Sequence, residues 1–420
     1  MERKLDVYLH RNLIGKLAQN RHGDMVFNYS ESWLANASAI PLSQSLPLRK
    51  ERFSRRECRG FFAGILPEES NRKVIAKNLG ISARNDFAML EQIGGECAGA
   101  VTFLTEGQGL TALEDNYRPL TPGELARLLK ELPRRPLLAG ERGIRLSLAG
   151  AQDKIVVHVA NGQISLPLGG SPSTHVLKPA IERFEGLVFN EAVCMKLARA
   201  IGLKAAKTEI GCANGVDFLL VERYDRTVVP RFPGGPDNLR REHQEDLCQA
   251  LGIDSEHKYQ AEGGPSLKQC FALVRQVSTF PVIDLQALLD AVIFNFLIGN
   301  NDAHGKNFSL LYSGEQPSER ATSLAPLYDV LSTAYYPDLD KKMAMKIGGE
   351  YLGDIVRGKH FEKFAEEAGL ATPMVRQRVS ELAEIILKKT NEVKWEHPVV
   401  LAVAKFIQDR CERRIKEFKI

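Results

Sequence analysis

The chain has 420 residues, 44% of them hydrophobic, which is enough for two or three domains with substantial cores. Its 56 Lys and Arg residues nearly balance 52 Asp and Glu residues, and the net charge of +4 predicts no global field directed at nucleic acid. The seven cysteines show no CxxC spacing, which argues against a disulfide framework or a zinc knuckle and favours a reducing cytoplasm.

No membrane segment is expected. The first residues, MERKLDVYLH, lack the apolar region of a signal peptide. The longest apolar run, AVIFNFLIG, is about half the length that a bilayer-spanning helix needs. We therefore expect a soluble cytoplasmic protein.

The N-terminal third predicts a small α/β subdomain over residues 1–137. The runs LDVYLH, NLIGKLA and GDMVFNY alternate with turn signals and predict strands of an antiparallel sheet. From Cys58 to about Gly99 the pattern is helical. A further helix begins at TPGELARLLKEL, where Thr121 can cap it, Pro122 suits its first turn and Glu124 completes a capping box.

A second β-rich region, residues 138–225, follows. KIVVHV and QISLPL flank Asn161 and Gly162, a strong hairpin signal. THVLKPA then predicts a strand, NEAVCMKLARAIG a helix, and VDFLLVERYDR a strand that enters a connection. RTVVPRFPGGPDNLRREH and DSEHKYQAEGGPS predict surface loops because they are rich in Pro, Gly and charge.

From about His243 the chain is mainly helical by pattern. This order of elements predicts an α+β fold of the bilobed, protein-kinase-like kind, with an all-helical C-terminal lobe over residues 226–420.

The stretch GNNDAHGKNFSLLY concentrates polar groups between a helical and a strand pattern. Asp302 and Asn307 are five positions apart, the spacing with which kinases orient an attacking hydroxyl and hold magnesium. APLYDVLST supplies a second carboxylate, Asp329, and hard oxygen ligands of this kind suit Mg²⁺. Alone, this spacing is very common and usually structural; the catalytic interpretation depends on Asp329 downstream and on Lys178 and Glu191 upstream in kinase order.

Lys178 lies on a predicted apolar strand and has two interpretations. It either extends from a sheet edge or neutralises nucleotide phosphates, held by Glu191 at the start of the next helix. The end of the following strand also has two interpretations. In the first, Glu222 and Tyr224 bind adenine through main-chain groups. The alternative there is a strand end with Arg223 and Asp225 paired at the surface.

The stretch SLAGAQDK, residues Ser147 to Lys154, contains small residues that let main-chain N–H groups approach phosphate oxygens. It is equally a structural turn. GDIVRGKH imitates a Walker A loop, but His360 stands where Ser or Thr is required. Its Arg357 and Lys359 form a basic spot that could contact a phosphate backbone. No second His or Cys stands at ligand spacing near His304, so we expect no zinc site.

Taken together, several stretches resemble the HipA family of bacterial serine/threonine kinase toxins. They run in family order from about residue 61 to 332, and HQEDLCQALG with NDAHGKNFS is the most specific combination. The other matching stretches are FFAGILPEE, GGECAGAV, SLAGAQDK, THVLKP, NEAVCMKLA, VERYDR and PLYDVLS.

The resemblance implies an ATP- and Mg²⁺-dependent kinase with an N-terminal α/β region. Asp302 would be the catalytic base, and Asn307 and Asp329 would bind magnesium. The remaining nucleotide-binding residues implied by the family are Ala149, Gly150, Ala151, Gln152, Asp153 and Lys154 over the phosphates, Lys178, the adenine connection Glu222, Arg223 and Tyr224, and His304, Gly305, Lys306, Asn307, Tyr328 and Asp329.

The resemblance also implies partners. The family target is glutamyl-tRNA synthetase, whose phosphorylation halts translation, and the family antitoxin is HipB, a helix-turn-helix protein that represses its operator together with the toxin. Arg357 and Lys359 match a stretch that reaches operator DNA. Ser147 stands where family members autophosphorylate, and we expect modification in trans that switches the enzyme off. Two alternatives stay open: a lipid or small-molecule kinase, and a catalytically idle DNA-binding co-repressor.

Overall fold

The computed structural model describes residues 2–110, 116–181, 183–230, 237–314, 317–392 and 397–418. Within them the strands are β1 Arg3–Leu9, β2 Asn12–Gln19, β3 Met25–Tyr29, β4 Val101–Thr105, β5 Tyr117–Pro119, β6 Ile155–Ala160, β7 Gln163–Pro167, β8 His175–Pro179, β9 Thr208–Ala213, β10 Val216–Glu222, β11 Arg226–Pro230, β12 Asp237–Arg241, β13 His243–Asp246, β14 Ser309–Ser313, β15 Ala321–Leu324, β16 Lys342–Ile347 and β17 Glu350–Leu352. The helices are α1 Glu31–Leu34, α2 Arg55–Gly64, α3 Glu69–Leu79, α4 Asp86–Ile93, α5 Pro122–Glu131, α6 Leu187–Ala200, α7 Leu247–Ala250, α8 Leu267–Val277, α9 Pro281–Ile298, α10 Gly358–Ala368, α11 Thr372–Glu392 and α12 Pro398–Phe418.

The chain divides into two compact units. The first unit contains Met1–Pro179, Gly211–Glu256 and Leu311–Arg320, and the second contains Ala180–Ile210, His257–Leu310 and Ala321–Ile420. The chain therefore passes between them several times. The predicted boundaries at residues 137 and 225 stay a prediction.

The first unit begins with the expected antiparallel sheet, in the order β3-β2-β1-β4. Alternating side chains such as Leu5, Val7 and Leu17 are fully buried, as one core-facing side of a sheet requires. Phe27 packs against Phe53 and links the sheet to the helices over residues 55–93 that the pattern also predicted.

The second sheet of the first unit has the strand order β5-β7-β6-β8-β10, with β9 next to β10 where the chain re-enters this unit. The predicted hairpin is confirmed: Ala160 pairs with Gln163, and Asn161 and Gly162 both have positive φ, as a type I′ turn needs. The capping box on α5, with Thr121 and Glu124, is confirmed as well.

The second unit is built on α9. This helix is long and apolar enough to cross a membrane by length and composition, but 67% of it is buried inside the fold, as in the core helix of a globular unit. It ends at Gly299, whose φ of +76° is the left-handed conformation that glycine adopts without strain.

The α+β fold is confirmed, with two differences in detail. The segment predicted as the loop RTVVPRFPGGPDNLRREH contains β11 and β12, paired from Arg226↔Arg241 to Pro230↔Asp237, while 231–236 lie outside the described residues. Residues 226–420 also contain β13 to β17, so this segment is mainly but not entirely helical.

Candidate active site

The predicted catalytic loop leaves the end of α9 in the second unit. The main-chain N–H of Asp302 donates to Oδ1 of Asn300 over 3.2 Å, and Oδ1 of Asp302 accepts a hydrogen bond from the Tyr259 hydroxyl over 2.8 Å. The Tyr259 ring also meets the His304 ring edge-on at 5.5 Å. Tyr259 lies in DSEHKYQAEGGPS, which was predicted only as a surface loop, so its contact with the candidate carboxylate Asp302 was missed.

The loop then folds into a short 3-10 turn that fixes Asn307. Oδ1 of Asn307 accepts from the His304 N–H over 3.1 Å, and its Nδ2 donates to Oδ2 of Asp329 over 3.3 Å. Asp329 has a φ of +56°, an uncommon conformation for a residue other than glycine. Such backbone strain is often found at functional sites.

Tyr328 ties the same turn to the strand that follows it. Its hydroxyl donates to the Lys306 carbonyl over 2.6 Å and lies 2.6 Å from Oγ of Ser309. The structure thus gathers several of the predicted site residues in one part of the second unit, namely Asp302, His304, Gly305, Lys306, Asn307, Tyr328 and Asp329.

The donor set of Asn307 and Asp329 fits a magnesium ion. The Asn307 amide nitrogen faces the Asp329 carboxylate, and the amide oxygen accepts from the His304 N–H. The Asn307 amide oxygen and the Asp329 carboxylate are both hard oxygen donors. Mg²⁺ binds few protein ligands and completes its octahedron with water and phosphate oxygens.

Arg410 of α12 holds the end of α9, from which the predicted catalytic loop starts. It is buried, and its guanidinium donates to the carbonyls of Phe296 and Leu297 over 3.2 and 3.3 Å. A cation at these C-terminal carbonyls is stabilising because they are the negative end of the helix dipole. A cavity of about 310 Å³ borders Arg410 and Asn301.

The predicted phosphate loop lies in the first unit. Gly150 has a φ of +102°, its carbonyl accepts from the Glu68 N–H over 3.3 Å, and Nδ2 of Asn71 donates to the Ala151 carbonyl over 2.9 Å. The Lys154 ammonium donates to the Ala149 carbonyl over 2.6 Å. Burial raises the pKa of Asp153 above its ordinary value.

Ser147 at the start of this loop is fully buried. Its hydroxyl donates to the Ile65 carbonyl over 3.0 Å, and its N–H donates to the Glu96 carbonyl over 2.9 Å. In this conformation the hydroxyl is not accessible to another molecule.

Lys178 lies on β8, between β6 and β10, opposite Leu219, and is buried. The interpretation of a sheet-edge lysine is therefore wrong. Glu191 lies on α6 in the second unit, so the predicted pairing with Lys178 stays a prediction.

Arg223 and Asp225 do pair, through two hydrogen bonds of 2.9 and 2.8 Å, but they are buried, so the expected surface pair was wrong in its location. Burial opposes ionisation of Asp225, but the Arg223 and Arg226 charges outweigh it and hold its pKa below the ordinary value. The Arg223 N–H donates to the Thr174 carbonyl over 2.9 Å. Because the Arg223 guanidinium is bound to Asp225, it is not placed to recognise adenine. Glu222 pairs with His175 in the strand register, and the Tyr224 hydroxyl donates to Gln244.

The basic spot lies at the start of α10 in the second unit. Both residues are exposed, and the Arg357 guanidinium donates to the carbonyls of Asp354 and Val356 over 2.6 and 2.9 Å.

Comparison with known proteins identifies the family. The sequence model of the HipA-like C-terminal domain matches residues 146–390, and that of the HipA N-terminal domain matches residues 5–104. The chain belongs to the HipA family of serine/threonine kinases. Y4mE of Sinorhizobium fredii is 50% identical over 386 residues, which are 91% of this chain and 90% of the relative.

Two further comparisons cover nearly the whole of this chain. The serine/threonine-protein kinase toxin HipA of Shewanella oneidensis is 30% identical over 431 residues, 97% of this chain and 95% of that one. A chain in the solved complex of HipA, HipB and operator DNA from Shewanella oneidensis MR-1 superposes with a TM-score of 0.84 at 27% identity, covering 99% of this chain and 98% of that chain. These similarities confirm the predicted family, its kinase activity and its kinase-like α+β fold.

Proposed function

We propose that this chain is the kinase toxin of a type II toxin–antitoxin module and transfers the γ-phosphoryl group of Mg-ATP to a serine or threonine of a protein. The observation that supports this most is the contact of Asn307 with Asp329 beside the Asp302 loop. Two distant stretches of sequence meet there with the groups that phosphoryl transfer needs.

In the proposed reaction the substrate hydroxyl oxygen attacks the γ-phosphorus, the bond to the bridging β–γ oxygen breaks and ADP leaves. Asp302 orients the hydroxyl and accepts its proton, and Tyr259 holds the carboxylate in place by its hydrogen bond. Asn307 and Asp329 would hold Mg²⁺, which neutralises phosphate charge. Lys306 stabilises charge on the transferred group.

Further nucleotide contacts are proposed from the family resemblance. Main-chain groups of Ala149–Lys154 cover the phosphates, Lys178 neutralises them, and the connection Glu222–Tyr224 meets adenine. The buried side chain of Arg223 restricts its own contribution to the main chain.

The proposed partners follow from the family. The protein substrate is glutamyl-tRNA synthetase, and the chain acts in the cytoplasm with a HipB-like helix-turn-helix antitoxin at operator DNA. Both side chains are exposed, but Lys359 is better placed for a phosphate contact, because the Arg357 guanidinium binds main-chain carbonyls.

Self-inactivation at Ser147 is part of the proposal. A phosphate adds about −1.5 to −2 charge and three acceptor oxygens. The Ile65 carbonyl that now accepts from the Ser147 hydroxyl would face those oxygens, and neither side offers a proton. The phosphorylated segment therefore leaves its buried position.

One experiment separates protein kinase activity from the alternatives. Purified chain is incubated with γ-labelled ATP, Mg²⁺ and a cell lysate, beside an Asp302→Asn variant. We expect label in a protein band that contains glutamyl-tRNA synthetase and none with the variant. Label in lipid or small metabolites supports the small-molecule kinase, and no label in any fraction supports the idle co-repressor.

A further inference from the structure

Glu96 is a buried carboxylate in the GGECAGAV stretch, to which the proposed mechanism gives no role. It is 1% exposed and follows α4 in the N-terminal domain. Its Oε1 accepts from Arg226 over 2.7 Å, from the Ser173 hydroxyl over 2.9 Å and from Arg223 over 3.2 Å. It also forms an ion pair with Arg241. The side chain therefore holds the connection that follows β10.

The main chain of the same residue holds the phosphate loop. The Glu96 N–H donates to the Arg145 carbonyl over 2.8 Å, and the Glu96 carbonyl accepts from the Ser147 N–H over 2.9 Å. Together these two bonds form a parallel β-bridge to Leu146. A Cβ atom on Gly95 would come within 2.9 Å of the Arg145 carbonyl oxygen, so glycine is needed for this close approach.

We infer that Glu96 is a positioning residue of the nucleotide site, which sets the phosphate loop and the adenine connection relative to each other within the first unit. The inference rests on the proposed function, in which residues 149–154 and 222–224 contact ATP. Two ATP-binding segments fixed on one rigid residue need less ordering when the nucleotide binds, and such preorganisation raises affinity. On this view the N-terminal domain is part of the ATP site.

The charges around Glu96 explain why the arrangement is rigid. Three guanidiniums, those of Arg223, Arg226 and Arg241, surround the two carboxylates of Glu96 and Asp225. Burial opposes ionisation of Glu96, but the Arg226, Arg241 and Arg223 charges overcome it and lower its pKa to about 2. The carboxylate is thus charged at neutral pH and joins all three cations.

The test uses the full chain and a variant that keeps the cluster's charge balance. Glu96→Gln combined with Arg241→Gln removes one carboxylate and one guanidinium together. The cluster has three cations and two anions in the wild type, and two cations and one anion in the variant, so its net charge stays +1. Ser173→Ala is the milder variant, since it removes one donor to Glu96 and no charge.

Asp86→Asn is the matched control. Asp86 is also a buried carboxylate of the N-terminal domain held by arginines, among them Arg59 at 3.0 Å, but it bonds to neither ATP-binding segment in the described contacts. Folding is checked by circular dichroism. The readouts are the Kd for Mg-ATP by calorimetry, and KM and kcat for ATP with the lysate substrate.

We expect the double variant to raise the Kd and KM for ATP about tenfold, Ser173→Ala to raise them a few-fold, and kcat at saturating ATP to change little. Asp86→Asn should leave the Kd near the wild-type value. An unchanged Kd in a folded double variant, or in Ser173→Ala if the double variant does not fold, overturns the inference, as does an equal rise in Asp86→Asn. If the wild-type chain itself binds no Mg-ATP, the proposed function fails instead.

Discussion

Asn307 donates a hydrogen bond from Nδ2 to Oδ2 of Asp329, 22 positions further along the chain, over 3.3 Å. The contact brings the end of the predicted catalytic loop to the carboxylate that the sequence predicts as the second magnesium ligand. Both side chains belong to the second unit, so the two predicted magnesium ligands lie next to each other there.

Loss of the Asp329 carboxylate should weaken magnesium-dependent nucleotide binding. In Asp329→Asn the remaining amide oxygens cannot neutralise the ion, so we expect the Kd for ATP in the presence of Mg²⁺ to rise about tenfold or more. Asp338→Asn is the control, because Asp338 is an exposed carboxylate of the same unit. Equal ATP affinity with and without the Asp329 carboxylate and Mg²⁺ would show that Asp329 is only structural.

Phosphorylation of Ser147 should occur between molecules, in chains whose segment has left the buried position, and should inactivate the enzyme. When active chain is mixed with the Asp302→Asn chain and Mg-ATP, mass spectrometry should find one phosphate on Ser147 of the inactive chain. The phosphorylated chain should bind ATP more weakly, because the loop has left the Ile65 carbonyl. An unmodified Ser147, or a phosphorylated chain that stays fully active, contradicts this mechanism.

Loss of Arg410 should lower kcat, because Arg410 holds the end of α9 from which the loop with Asp302 starts. Arg410→Met removes the cation from the carbonyls of Phe296 and Leu297, and we expect kcat to fall about tenfold with little change in KM for ATP. Arg378→Met is the control. Arg378 lies on α11 and also contacts α9, but in the middle of the helix, where it pairs with Asp290. It should lower the melting temperature without a comparable loss of kcat. Equal losses of kcat would mean that both residues act only through stability.

Glu245 predicts a pH dependence of stability. It is buried among Ser43, Gln44 and Tyr312, and burial raises its pKa to about 7 from an ordinary 4.5. The folded state therefore binds the proton more tightly than the unfolded state, and the stability that this contributes is complete below pH 4.5 and lost as the pH rises to about 7.

Glu245→Gln should remove that slope. Between these pH values the free energy of unfolding of the wild type should fall relative to the variant by at most about 1.4 kcal/mol per pH unit. Burial lowers the pKa of the neighbouring His243 from 6.5 to about 4, so His243 contributes a slope of opposite sign in this range. That contribution is common to wild type and variant and cancels in the comparison. Denaturant unfolding of both proteins across this range makes the comparison, and parallel stability curves would contradict the assignment.

Local signals in the sequence predicted much of this fold. The Thr121–Glu124 capping box and the Asn161-Gly162 turn depend only on neighbouring residues, and both are present as expected. The β11–β12 hairpin was missed because β12 (DNLRR) is polar, and the Pro and Gly residues between the two strands outweighed the short β-branched run in β11 (RTVVP). A sequence pattern dominated by Pro, Gly and charge indicates a loop in either case.

Contacts between distant residues account for what was missed in the site. Nothing near Tyr259 in the sequence indicates that its hydroxyl reaches Asp302, 43 positions away. The pairing of Arg223 with Asp225 was foreseen because they are neighbours, but its burial depends on Glu96, 127 positions earlier. Such partners become visible only when the chain is folded.

The most direct test of the account is single-turnover phosphoryl transfer by the Asp302→Asn variant. Transfer of label from γ-labelled Mg-ATP to the protein substrate is measured together with the Kd for ATP, for wild type, Asp302→Asn and the surface control Asp338→Asn. Because loss of a general base typically lowers rates by about 10²–10⁴-fold, we predict a fall of that size in Asp302→Asn, with ATP affinity and fold retained and the control unchanged. Wild-type transfer rates in Asp302→Asn would contradict the assignment of the loop as catalytic.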